Sequence, residues 1–164
     1  CKHITEAAGK RCIRQEVRRI LQEVDLHDIQ LILEVTERSL LSTSGRILER
    51  IRELKQLGIQ MSMDDFGMGH SSMMYLQENA FDEVKLDGSL VRQILENERS
   101  RDIVRGITRL AASMQFHVVA EFVETREQME LLKALHCDIY QGYYYGKPCS
   151  CDEFIIKYLK QEPR

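Results

Sequence analysis

Ile59-Gln60-Met61-Ser62-Met63-Asp64-Asp65 reads as a short strand, Ile59 to Met63, followed by two adjacent carboxylates. Taken alone, such a pair after a strand is more often a turn or a helix cap than a site. Its neighbours change the reading. Leu31-Ile32-Leu33-Glu34-Val35 is a second buried-strand pattern, with Glu34 near its end. Glu83 to Leu86 is a third, closed by Lys85 and Asp87. Val118-Val119-Ala120 runs into Glu121, and Asp138-Ile139-Tyr140 into Gln141. Polar groups thus fall at the C-terminal ends of five successive strands.

Between these runs lie amphipathic helical patterns. Ile13, Val17, Ile20, Leu21 and Val24 share one helical face. Ile47, Ile51, Leu54 and Leu57 form another stripe, with Ser44 as a candidate cap and Gly58 as the stop. A short helix is expected around Met73 to Leu76, and one or two helices up to about Met114. Thr125 opens a helix to Leu135, and a last one covers about Asp152 to Leu159. Lys2 to Ile4 is a possible sixth strand. Strands separated by helices imply βα crossovers and a mainly parallel sheet. Doubly wound sheets and barrels both fit that count. A barrel gathers all its strand ends on one rim, where catalytic residues lie, whereas an open sheet keeps distant ends apart. The polar strand ends therefore favour an α/β fold of the TIM-type (β/α) barrel class.

Bulk properties limit the alternatives. The chain has 164 residues, of which 43% are apolar and 30% charged, with a formal charge of -3. This suits a single domain, residues 1–164, and argues against polymeric nucleic acid as a partner. The five cysteines, Cys1, Cys12, Cys137, Cys149 and Cys151, are odd in number and irregular in spacing. They point to a reducing compartment rather than a disulfide framework. Cys149-Ser150-Cys151 has no partner pair at zinc spacing and reads as two incidental thiols. No apolar run approaches a membrane span, and no signal peptide is visible. A cytoplasmic location without membrane contact is expected.

Crowded carboxylates need a counter-charge. Two like unit charges ~4 Å apart cost about 4 kcal/mol at an effective dielectric of 20. Hard divalent cations with oxygen ligands supply it, and adjacent aspartates suit a two-metal site for in-line phosphoryl displacement. Gly67, Gly69, Ser71 and Ser72 match neither phosphate-loop fingerprint. His70 beside Ser71 lacks the nucleophile elbow that would make it a base.

Taken in order, these segments resemble the EAL domain family of cyclic-di-GMP phosphodiesterases. Leu33-Glu34-Val35-Thr36-Glu37 is similar to the family's Glu-Leu-Thr-Glu strand end. Asp64-Asp65-Phe66-Gly67-Met68-Gly69-His70-Ser71-Ser72 resembles Asp-Asp-Phe-Gly-Thr-Gly-Tyr-Ser-Ser. Val84-Lys85-Leu86-Asp87 resembles Leu-Lys-Ile-Asp, and Val119-Ala120-Glu121-Phe122-Val123-Glu124-Thr125 resembles Val-Ala-Glu-Gly-Val-Glu-Thr. Gln141-Gly142-Tyr143 with Gly146-Lys147-Pro148 completes the likeness. The resemblance implies hydrolysis of cyclic di-GMP to linear pGpG with Mg²⁺ or Mn²⁺. Glu34, Asp64, Asp65 and Glu121 would be metal ligands. Lys85 would hold the attacking water or the scissile phosphate, and Gln141 would help to orient that water. Glu37, Asp87 and Glu124 would support these groups, Glu37 by anchoring the loop from Phe66 to Ser72. That loop is also where the family often dimerises, which implies a homodimer. The resemblance also allows for a sensor or GGDEF-type domain upstream in the parent protein.

The chain departs from the pattern at four points. No Glu-x-Leu motif precedes Glu34, and the family's first strand would lie upstream of Cys1. A (β/α)8 barrel takes about 250 residues, so the barrel is expected to be incomplete at its N-terminus. An asparagine ligand of the family corresponds to His3, or to Lys2 on a gapless count, so one metal position is expected to be incomplete. Phe122 stands where the family has glycine, and Gly88 where it commonly has arginine. This fragment alone is expected to be weak or inactive. The alternative reading is a degenerate domain that binds cyclic di-GMP, or only a protein partner, without hydrolysis.

Overall fold

The computed structural model describes residues 13–23, 30–41, 46–66 and 72–159. Helix α1 (Ile13–Glu23) precedes strand β1 (Ile32–Thr36), helices α2 (Glu37–Leu41) and α3 (Arg46–Lys55), and strand β2 (Gln60–Phe66). Then come α4 (Ser72–Gln77), β3 (Glu83–Leu86), α5 (Gly88–Arg92), α6 (Glu98–Met114) and β4 (His117–Ala120). The chain continues through α7 (Arg126–Ala134), β5 (Ile139–Tyr140) and α8 (Cys151–Phe154), which runs on as a π-helical turn, Ile155–Leu159.

All five strands are parallel, and their order in the sheet is their order in the chain. A doubly wound sheet reverses its strand order at a switch point. This one never does. Right-handed crossovers that all step the same way put every helix on one side, and the sheet curls as a barrel wall. Among the described residues β1 and β5 are its two edges, so the barrel is not closed. Ile32 on β1 and Ile139 on β5 are exposed accordingly.

Side chains alternate across each strand. Leu33 and Val35 pack towards the helices with the buried core of Met61, Met63, Val84, Leu86, Val118 and Ala120. Counting in twos, Glu34, Ser62 and Asp64, Glu83 and Lys85, Val119 and Glu121 share the opposite face, which is the barrel interior. The register sets Glu34 beside Ser62, Thr36 beside Asp64, Ser62 beside Glu83, and Lys85 beside Val119.

At the opposite end from those polar strand ends, one device recurs. Asp82 accepts the Met61 amide through Oδ2 at 2.8 Å, and its own amide donates to the Met61 carbonyl at 2.9 Å. Asp138 repeats this on Val118, at 2.8 and 3.1 Å. Each aspartate therefore stitches the start of its strand segment to the strand before it. The caps follow the sequence. Thr125 and Gln128 form a full capping box on α7, Asn97 caps α6, and Gly58, at φ 83°, ends the turn after α3.

Some expectations needed adjustment. β2 runs through Asp64 and Asp65 to Phe66 instead of stopping at Met63, because an irregularity keeps its end paired with β3. Helix α2 starts directly after β1, and five residues are too few to leave a periodic stripe. The candidate strand at Lys2 to Ile4 and the candidate cap Ser44 lie outside the described residues. Cys137, Cys149 and Cys151 are free thiols. No helix of the described residues is long and apolar enough to cross a membrane.

Replacing Asp138 with alanine strands the buried Val118 amide, so it should cost about 1–3 kcal/mol in urea unfolding. Replacing the exposed Asp152 should change little.

Candidate active site

The rim is built around an irregularity in β2. Met63 is paired with Val84 and Phe66 with Leu86, so β2 holds one residue more than β3 over this stretch. Such a bulge twists a strand and re-aims its side chains. Here Asp65 takes a left-handed conformation, with φ 57°, which aspartate tolerates better than most residues. The Asp65 amide donates to Asp64 Oδ1 at 3.0 Å. In a regular strand these two side chains would face opposite sides; the bulge relaxes that rule at the one place where two adjacent carboxylates stand.

Lys85 is the centre of the rim. Its Nζ lies 2.8 Å from Glu121 Oε1, 3.0 Å from Glu34 Oε1 and 4.0 Å from Asp64 Oδ1. One ammonium on β3 thus joins carboxylates from β1, β2 and the end of β4. Its side chain is 6% exposed, against 16% for Glu121, 25% for Asp64 and 44% for Glu34. The site is therefore deep on the β3–β4 side and open towards β1. Burial works against the Lys85 charge, but the hydrogen bonds to Glu121 and Glu34, with the charges of Glu121 and Asp64, outweigh it. The ammonium holds its proton more tightly than an ordinary lysine. Lys85 is therefore a permanent cation at neutral pH and no proton acceptor.

Asp65 is set differently. Burial, then the charges of Asp64 and Asp87, hold its carboxyl above the usual aspartate range, while Lys85 and Arg38 pull the other way. Arg38, on α2, is a rim cation that the sequence reading passed over; its place directly after the strand-ending Thr36-Glu37 was the available signal. Under the rim Ser62 is fully buried, and among the described residues its hydroxyl has no hydrogen-bond partner.

The remaining expected residues are less tightly gathered. Glu37 is buried at the start of α2. The loop it was expected to anchor, residues 67–71, lies outside the described residues, as does His3. Asp87 caps α5: its Oδ1 accepts from the Ser89 amide at 2.9 Å and from the Ser89 hydroxyl. Glu124 is exposed, and its amide donates to Gln128 Oε1 at 2.8 Å. The Gln141 backbone is fixed, accepting from the Val123 amide at 3.1 Å and donating to the Ala120 carbonyl at 2.9 Å, which leaves its exposed side chain at the rim.

The donor chemistry of Glu34, Asp64, Asp65 and Glu121 suits a hard divalent cation, since all are carboxylate oxygens. Among the described residues, however, no three such groups converge on one point that would hold a metal. Glu34, Asp64 and Glu121 converge on the Lys85 ammonium instead.

A barrel-type wall with acidic strand ends round a buried lysine defines a class of enzyme-like rims. The comparisons make the class specific. The EAL domain model matches residues 5–148. The chain belongs to the EAL domain family. It is 35% identical over 153 residues to the cyclic di-GMP phosphodiesterase NbdA of Pseudomonas aeruginosa, covering 92% of this chain and 20% of NbdA. It is similar in structure to the PaMucR phosphodiesterase in complex with c-di-GMP, with a TM-score of 0.76 and 32% identity over 85% of this chain and 57% of that one. It is also similar to Klebsiella pneumoniae BlrP1 in its manganese and cyclic-di-GMP complex, with a TM-score of 0.71 and 26% identity over 84% of this chain and 34% of that one. The chain therefore spans only part of each protein.

Two substitutions probe the rim electrostatics. Lys85→Met leaves Glu121 and Asp64 without their cation and should cost about 3 kcal/mol at pH 7 in urea unfolding. Adding Glu121→Gln should recover part of that loss. Asp65→Asn keeps the left-handed turn. The folded Asp65 carboxyl binds its proton more tightly than the unfolded one. Its contribution to stability is therefore present below the unfolded value of about 3.9 and is lost as pH rises through the higher folded value. Asp65→Asn should accordingly raise the metal-free Tm by about 1–3 °C at pH 7, and the gain should vanish near pH 3.5. Calorimetry across that range checks it.

Proposed function

We propose that this segment forms the larger part of a divalent-metal-dependent phosphodiesterase site that opens cyclic di-GMP to linear pGpG in the complete domain. The observation that carries the reading is the Lys85 ammonium, held among Glu34, Asp64 and Glu121 at the C-terminal ends of parallel strands. Membership of a family whose relatives are named cyclic di-GMP phosphodiesterases supports it.

Glu34, Asp64, Asp65 and Glu121 would hold the cation, Mg²⁺ or Mn²⁺. When bound, it supplies Lewis acidity at the phosphodiester and charge compensation for the rim. The chain's own residues do the rest. Lys85 Nζ donates to a phosphate oxygen or to the attacking water, and its permanent charge stabilises the negative charge that grows in the transition state. Glu121, the most buried of its three carboxylate partners, takes a proton from the water at Oε1. Gln141 orients that water from the neighbouring strand end. Water adds at phosphorus, one P–O ester bond breaks, and the departing sugar oxygen takes up a proton from solvent water, while Glu121 later returns its own to solvent. Glu37, Asp87 and Glu124 keep the strand ends in place behind these groups.

The same reading includes a cytoplasmic location, a homodimer formed through the loop around residues 66–72, and a sensor or GGDEF-type domain elsewhere in the parent protein. The free thiols of Cys137, Cys149 and Cys151 agree with the proposed location.

The test is turnover of cyclic di-GMP by the full-length protein with Mg²⁺ or Mn²⁺, followed by chromatography of the products. Glu34→Ala should lower the rate by roughly 100-fold or more, whereas exchange of the exposed Arg109 on α6 should leave it unchanged. Tight binding without any linear product would establish the degenerate receptor in place of the enzyme. Absence of binding would reduce the domain to a protein-interaction module.

A further inference from the structure

Two departures from the family pattern, Phe122 and Gly88, are 34 positions apart in the chain but touch in space. Phe122 directly follows Glu121 and adopts a left-handed backbone, with φ 55°. Few bulky residues do so unless their surroundings hold them there. The surroundings are specific. A Cβ placed on Gly88 would stand 2.4 Å from Phe122 Cδ2 and 2.7 Å from Cε2. No side chain fits at position 88 while the ring is where it is. The Arg92 guanidinium, one helical turn along α5, lies 4.2 Å from the ring centroid. The ring is thus seated on the first residue of α5 and stacked by the last, while Phe122 stays 43% exposed.

The other side of the same loop is also fastened. The Val123 amide donates to the Gln141 carbonyl at 3.1 Å. Gly142 approaches so closely that a Cβ there would fall 2.2 Å from the Val123 carbonyl oxygen. Residues 121–123 are therefore gripped from β5 through the backbone and from the β3–α5 junction through the Phe122 ring. That junction begins two residues beyond Lys85. The ring bridges the ends of the two strands whose side chains, Lys85 and Glu121, form the shortest ion pair of the rim, at 2.8 Å.

We infer that Phe122 and Gly88 are a matched pair, stacked by Arg92, that positions Glu121 against Lys85. Phe122 is a positioning residue, since its ring is packed on α5 and acts through Glu121. Gly88 is what admits it. The catalytic consequence rests on the proposed function; the geometric one does not.

The decisive measurement needs neither metal nor substrate. The chain and its Gly88→Ala, Phe122→Gly, Phe122→Tyr and Gly88→Ala/Phe122→Gly variants are acylated under native conditions, well below every Tm. Labelling of Lys85 is then read by mass spectrometry against the exposed Lys133. Phe122→Gly should raise relative Lys85 labelling about threefold, because Glu121 no longer stays on the ammonium. Gly88→Ala should raise it about fivefold or more. The double variant should match Phe122→Gly alone, because an added Cβ is harmless once the ring is gone. Phe122→Tyr should stay within about twofold of the parent. If the two changes act independently, or if Tm falls while Lys85 labelling does not move, the pairing is overturned. Should Gly88→Ala fail to fold, the comparison of Phe122→Gly with the double variant still decides the matter. In the full-length protein Phe122→Gly should lower kcat more than it changes KM. Parent protein without turnover would defeat the proposed function and leave the labelling result to judge the pair.

Discussion

One ammonium group holds three strand ends together. Lys85 lies on β3 and reaches Glu34 from β1, Asp64 from β2 and Glu121 from beyond β4. Neither side of this arrangement is stable alone. Burial of the lysine works against its charge, and the carboxylates beside it outweigh that effect. Carboxylates this close would repel one another without a cation between them. The sheet forces them together because every strand is parallel and every step in its order is to the next strand. All the C-terminal ends must then meet on one rim. The rest of the site is an answer to the electrostatic problem that this topology creates.

The bulge in β2 belongs to the same problem. A regular strand would have sent Asp64 and Asp65 to opposite faces. The extra residue and the left-handed turn at Asp65 loosen that alternation without breaking the pairing of Phe66 with Leu86. The cost is visible in Asp65, whose carboxyl is held above its ordinary range by burial and by Asp64 and Asp87. Among the described residues, Lys85 and Arg38 oppose this. The carboxylates of Glu34, Asp64 and Glu121 close on Lys85, which serves as the counter-charge of the rim.

The ends of the strands opposite the rim are built on other principles. There, Asp82 and Asp138 spend their carboxylates on backbone amides of the preceding strands. These acids are structural, and they lie in positions as conspicuous in sequence as those of the rim. Acidic residues flank the strands at both ends, and the end decides the role. Phe122 makes the same point at the rim itself. It follows Glu121 in sequence but is packed on Gly88 and under Arg92, and its effect on the site passes through a contact between two loops.

The sequence by itself determined the class of fold and the family. Strand and helix periods are local properties, so the βα alternation could be read from apolar spacing. The motifs around Glu34, Asp64-Asp65, Lys85, Glu121 and Gln141 occur in the family's order, and a match over residues 5–148 establishes the membership. Only the tertiary structure decided which of those groups meet. It showed that Lys85 takes three carboxylates, that Arg38 stands near Asp65, and that Asp87 caps a helix. It also turned two separate departures, Gly88 and Phe122, into one contact. The reason is physical. Periodicity records which face a residue occupies, whereas ion pairs, bulges and ring seats depend on distances between segments far apart in the chain, and those exist only once the strands are in register.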